Sequence, residues 1–127
     1  MVGLILFVQI VHYPLMARVD ARSFEAYEAG HTLRTGLLVV PLMTAEMASA
    51  LWLASGFGAA GNRTLAWAGL GFLAVIWAST ALLQAPAHGR LAKGFDPVVH
   101  RRLVQTNWIR TVSWLARIPA AFVLLPN

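Results

Sequence analysis

The chain contains no cysteine. Disulfides, thiolate metal sites, cysteine-held iron–sulfur clusters and cysteine nucleophiles are therefore excluded. Charge is also scarce. Asp, Glu, Lys and Arg together make up 12% of the sequence, against ~25% in soluble domains. The net charge of +5 is not carried on the basic face of a soluble domain, so nucleic acid is not an expected partner.

Most of the chain is instead apolar. Hydrophobic residues account for 58% of 127 positions. One soluble core of this size cannot hide that much apolar surface, whereas a bilayer can. The apolar residues fall into four runs separated by polar segments. The expected fold is therefore all-α: a four-helix transmembrane bundle forming a single integral membrane domain over residues 1–127.

The first span covers about residues 1–17 and is short for a membrane helix, which needs ~20 residues. No basic segment precedes it and no clear small-residue cleavage site comes after it, so it does not read as a secretory signal. An in-frame start upstream of Met1 is an open alternative. Residues 18–34 are polar, and Phe24, Tyr27 and His31 recur at helical spacing. They predict a short amphipathic interfacial helix between spans one and two, either separate from span two or continuous with it. Span two covers about 35–55, and Gly56, Gly58, Gly61 and Asn62 mark the turn after it. Span three covers about 64–85, with Pro86 ending it and a polar loop beyond. Asp96-Pro97 pairs an acidic cap with proline at the first helical position, so span four starts there and runs to about 125.

Lys and Arg set the orientation. The first and third connections, with the first turns of span four, hold Arg18, Arg22, Arg34, Arg90, Lys93, Arg101 and Arg102, while the second connection holds Arg63 alone. The positive-inside rule predicts a multi-pass protein of a bacterial-type inner membrane with both termini outside the cytoplasm.

Three charges fall inside apolar runs: Glu46, Arg110 and Arg117. Each costs roughly 2.5–3.5 kcal/mol to insert on the lenient scale, and such groups usually face an interior and find a partner. Counting from the expected span ends, Glu46 lies ~15 Å deep, Arg110 ~10 Å and Arg117 ~21 Å. Glu46 is expected to pair with one or both arginines. A spare arginine would be free to hold a carboxylate, phenolate or quinone oxygen. Polar residues also recur at helical spacing: Gln9, His12 and Tyr13 on helix one; Trp77, Thr80, Gln84 and His88 on helix three; Asn107, Arg110, Trp114 and Arg117 on helix four. Asn107, Arg110, Gln84, Trp77 and Glu46 are the expected ligand-binding set.

The four histidines, His12, His31, His88 and His100, all map to the cytoplasmic end of the bundle. Together they form a candidate metal set, with zinc, iron or copper as alternatives and a b-type haem as another. The Glu-x-x-His pattern of di-iron bundles occurs once here, at Glu28 and His31, rather than twice. Asp96 and His100 sit one turn apart, although Asp96 also serves as a cap. His12 and His88 extend the polar stripes of their helices and are the expected proton-transfer residues, since an imidazole works near neutral pH. Ordinary interfacial hydrogen bonding is the competing reading for each histidine.

The segment TNWIRTVSWLAR, with Asn107-x-x-Arg110-Thr111, resembles the final helix of the anthrone oxygenase-like family of small four-helix membrane proteins. Val11-x-x-Pro14 and Phe24 fit the same outline. The resemblance implies that Asn107 and Arg110 face a ligand oxygen, and that the activity class is oxygenation of a polyaromatic compound without an evident cofactor.

The functional expectation is a small membrane protein with an interior polar pocket that binds a hydrophobic small molecule, with redox chemistry as one option. The alternatives are a non-catalytic assembly subunit of a membrane complex and a transporter component. The expected partners are the lipid bilayer, a hydrophobic small molecule and further copies of the chain in a homo-oligomer. No cofactor is specified by the sequence.

Overall fold

The computed structural model describes residues 1–56 and 62–124. It is all-helical, and four helical rods account for the described chain: α1 (Val2–Met16), α2 (Phe24–Ser55), α3 (Arg63–Leu91) and α4 (Pro97–Leu124). Local chemistry sets their ends. Asn62 caps α3 by accepting from the Leu65 amide at 3.2 Å. Asp96 caps α4 by accepting from the amides of Val98 and Val99 at 2.8 and 3.1 Å. Its carboxylate is thus occupied by the first turn of α4. Gly56, with φ of 86°, ends α2 in the left-handed conformation that glycine adopts without a Cβ penalty. The Gly58 and Gly61 part of the expected turn and the Leu125 end of span four lie outside the described residues.

One sequence expectation is narrowed and one needs correction. The segment before span two is continuous with it rather than a separate short interfacial helix, because α2 runs unbroken for 32 residues from Phe24. Its ~48 Å exceeds the ~30 Å thickness of a bilayer's hydrocarbon layer. Pro86 does not end the third helix, which continues to Leu91.

The reason lies in the backbone. A π turn over Thr80–Gln84 precedes Pro86, and another over Val8–His12 precedes Pro14. The wider i→i+5 turn accommodates a residue that has no N–H to donate and whose ring crowds the preceding turn. Both helices pass through their prolines, as α2 and α4 pass through Pro41 and Pro119 without such a turn.

Two helices, α2 and α3, are long and apolar enough to cross a membrane. The others fall short of that description for different reasons. α1 is short, and α4 carries Arg101, Arg102, Arg110 and Arg117 together with Gln105 and Asn107. All four helices nonetheless expose large apolar side chains, including Phe7 and Ile10 on α1, Leu33 and Leu37 on α2, Trp67 and Leu82 on α3, and Trp108 and Phe122 on α4.

Backbone packing runs from α1 to α4, from α4 to α3 and from α3 to α2. The remaining side of the bundle, between α1 and α2, is not closed in this way. The interior is layered. One apolar cluster joins Ile5, Met43, Ala50, Leu73, Ile76 and Trp114. A second joins Val8, Tyr13, Met16, Phe24, Leu91 and Leu103. Along α3 and α4 the buried polar residues Ser79, Gln84, Asn107, Arg110 and Thr111 fall between these two clusters, and Gln9 of α1 joins them from beside Val8.

Candidate functional site

The polar layer is built mainly by amides. Gln9 donates to the carbonyl of Val104 at 3.1 Å and accepts from Asn107 Nδ2 at 2.7 Å. Thr111 adds a longer contact to the same Gln9 oxygen at 3.4 Å. These bonds tie α1 to α4 and satisfy both ends of the Gln9 side chain. On α3, Gln84 accepts from Ser79 at 3.0 Å and donates to Thr106 of α4 at 3.3 Å. Buried amides paired in this way cost little and fix which helix faces meet.

Arg110 is the exception within this layer. It is 7% exposed, and its Nη1 donates to Asn107 Oδ1 at 3.1 Å. Its Nε has no partner among the described residues. Glu46 lies within ion-pair distance of Arg117 and of the Met1 amino group, and Glu28 faces the His88 imidazole, so among the described residues no carboxylate neutralises Arg110. Glu46 thus pairs with one of the two arginines expected for it, and that one is Arg117. The Arg117 guanidinium also lies over the Trp114 ring, 5.0 Å from its centroid, in cation–π geometry.

A second polar cluster lies one helical turn away, where α1, α2 and α3 meet. Glu28 on α2 is fully buried. Its Oε1 lies 2.5 Å from His88 Nδ1 on α3 and also accepts from Thr32 at 3.3 Å. With Glu28 ionised, Nδ1 carries the proton, and His88 Nε2 is left to accept from the Tyr13 hydroxyl at 3.1 Å. The result is a continuous chain from the Tyr13 O–H through His88 to Glu28. Glu28 Oε2 has no partner among the described residues. Next to this chain, His12 and His31 stack with ring centroids 4.3 Å apart, and His31 lies 5.3 Å from His88. His12 Nε2 contacts the Tyr27 hydroxyl at 3.4 Å, and His31 Nδ1 contacts the Thr35 hydroxyl at 3.1 Å.

The two clusters share a cavity of about 650 Å³ on the open side between α1 and α2. Its polar wall includes Tyr13, His31, Thr80, Gln84, His88 and Arg110. The rest is mostly apolar, with Leu4, Ile5 and Val8 from α1 and Leu33, Val39 and Val40 from α2. This volume falls within the ~300–1,000 Å³ range of small-molecule sites.

The structure sorts the expected site residues. Arg110, Gln84, His88 and His31 line the cavity. Asn107 does not, because it is fully buried behind Arg110 and occupied by Gln9. Trp77 packs against the apolar cluster of Leu73 and Ile76. The π turn at Thr80–Gln84 adds a residue between Trp77 and His88, so the two do not share the face that simple helical stepping predicts. Glu46 borders a separate cavity of about 360 Å³ with Arg117, Ser49 and Ala121. His12 sits behind His31 through the ring stack.

The four-histidine metal set is not assembled. Among the described residues no three His, Asp or Glu side chains are grouped to hold an ion. His12 and His31 meet face to face, which does not turn their nitrogens to a common point. His100 is occupied elsewhere, with Nε2 donating to the Tyr13 carbonyl at 2.8 Å near the end of α1.

Two residues of the site were absent from the expected set: Glu28 and Tyr13. The signal for Glu28 was its place on the stripe of Phe24, Tyr27, Glu28 and His31. That for Tyr13 was its position beside Pro14 on the Gln9 face. The chain matches no protein-family model, no curated protein and no solved structure.

Proposed function

We propose that this is a multi-pass membrane protein that binds a hydrophobic small molecule through a single acidic or carbonyl oxygen. The observation that carries the reading is Arg110: a buried cation with no carboxylate partner among the described residues, on the wall of a large and mostly apolar cavity. An arginine in such a setting is costly unless an anion or a strong acceptor completes its hydrogen bonds. The apolar wall supplies affinity for a ring or chain, and the guanidinium fixes one oxygen.

Four spans are part of this proposal. The exposed apolar side chains on all four helices support it, because a soluble monomer rarely presents so much apolar surface. The basic bias of the first and third connections supports a cytoplasmic position for the His-rich end, with both termini on the other side. The likeness of the final helix to the anthrone oxygenase-like family is a further proposal, in which Arg110 meets the ligand directly and Asn107 holds Arg110.

The test is native mass spectrometry of protein purified in mild detergent or nanodiscs. A co-purifying small molecule is expected in the wild type and is expected to be lost in Arg110→Gln. Equal occupancy of the two refutes the reading. A second reading, a non-catalytic assembly subunit, is favoured by the well-paired Gln9–Asn107 and Gln84–Thr106 bonds. It predicts no bound small molecule in either protein.

A further inference from the structure

A second charge problem lies behind the cavity wall, where Glu28 holds the wall residue His88. Glu28 is a fully buried carboxylate whose partners among the described residues are an imidazole and a hydroxyl rather than a permanent cation. Arg110 is a buried cation without a carboxylate. Tyr13 lines the same cavity as Arg110, and its hydroxyl is bonded to His88, which in turn is held by Glu28. Each charge lacks the counter-charge that a proton shift would create.

Resting on the ligand-binding reading above, we infer that the site takes up a weakly acidic hydroxyl compound, a phenol or an enol, and binds it as its oxyanion. Tyr13 and His88 accept the proton in this step, with Glu28 as the positioning residue behind them. The ligand O–H bond breaks, and its proton joins the Tyr13 oxygen as the Tyr13 proton passes to His88 Nε2. His88 becomes an imidazolium whose Nδ1–H remains on Glu28. No electron moves and the net charge of the site is unchanged. Two isolated charges become two ion pairs: ligand oxyanion with Arg110, and imidazolium with Glu28. In a low-dielectric pocket that exchange is favourable, because each new charge forms beside its opposite.

The neighbours bear on when this works. From α1, Tyr13 and His12 face the cluster. Tyr27, Glu28 and His31 come from α2, His88 from α3, and His100 and Arg110 from α4. A proton on His12 or His31 places positive charge beside His88 and opposes the transfer. The relay therefore runs while both rings are neutral and fails as they charge on acidification. His100 is bound to the Tyr13 carbonyl and does not compete for the hydroxyl.

The experiment uses the full chain in nanodiscs and a 4-nitrophenol bearing an alkyl chain, whose phenolate is read by absorbance. The bound probe is expected to ionise at least ~1 pH unit below the probe in protein-free nanodiscs, a tenfold gain in phenolate fraction. Tyr13→Phe and Glu28→Gln are each expected to remove most of that shift while the probe still binds. Glu25→Gln, an exposed carboxylate on the same helix, is expected to leave it intact. Thermal melts verify that each variant is folded, and His88→Gln replaces any variant that is not. Binding with no shift in the wild type overturns the relay and leaves the binding reading standing. A shift that survives both Tyr13→Phe and Glu28→Gln also overturns the relay. Failure of the wild type to bind the probe overturns both.

Discussion

Asn107→Asp turns one amide nitrogen into a carboxylate oxygen at the side chain that touches Arg110. In the wild type, Asn107 Oδ1 accepts from Arg110 Nη1 at 3.1 Å, and its Nδ2 donates to Gln9 at 2.7 Å. The substitution keeps the shape and the first contact but gives the guanidinium a permanent anion. Two unit charges ~4 Å apart in an effective dielectric of ~20 attract by about 4 kcal/mol. A ligand oxyanion then competes with an internal one. If half to all of that attraction is forfeited, binding weakens by about 2–4 kcal/mol, or ~30- to ~1,000-fold in Kd. The fold should survive. The lost bond to Gln9 costs about 1–3 kcal/mol, and the new ion pair offsets much of it. The measurement is titration of the alkyl-4-nitrophenolate into nanodisc-held protein at a pH where the probe is ionised, with a thermal melt alongside. The companion Asn107→Leu removes the amide without adding charge, so it should lose stability but keep anion binding. Phenolate binding by Asn107→Asp as tight as that of the wild type refutes Arg110 as the anchor.

Glu28→Ala should lower stability by about 1–3 kcal/mol, because it leaves the His88 Nδ1–H without its buried acceptor; denaturant titration in detergent checks this, and Glu28→Gln should cost clearly less. Gly36→Leu is expected to raise stability by about 0.5–1 kcal/mol through helix propensity. It should also weaken ligand binding, because Gly36 lines the cavity and nothing lies within 4 Å of an added Cβ; a melt and a binding titration on one sample test both halves. A double-mutant cycle on Glu46→Gln and Arg117→Gln should return a coupling of about 1–3 kcal/mol in stability, with probe affinity unchanged because the pair borders the other cavity. For the topology, Lys93→Cys should react with an impermeant thiol reagent only from the cytoplasmic side and Arg63→Cys only from the opposite side; labelling from one shared side refutes the four-span arrangement.

Local rules account for much of this molecule. Composition and long apolar runs determine that the chain is helical, and two of its helices are long and apolar enough to cross a membrane. Asp96-Pro97 specifies the start of α4 because a carboxylate accepts from free amides and proline needs none. The interior face of α4 was also legible: of the stripe Asn107, Arg110, Trp114 and Arg117, the first three are buried and Arg117 is half-buried.

Other features required the packed bundle. Depth along a helix is linear in residue number, so Glu46 could be placed between Arg110 and Arg117, but depth does not say which way a side chain points around its axis. Packing chose Arg117 for Glu46 and left Arg110 to an amide and the cavity. The π turns before Pro14 and Pro86 each add a residue to a turn, rotating the rest of the helix by about 100°. That rotation parts Trp77 from His88. The pairing of Glu28 with His88 spans 60 residues and joins two helices. No spacing rule reaches that far, since only tertiary packing decides which buried acid meets which imidazole.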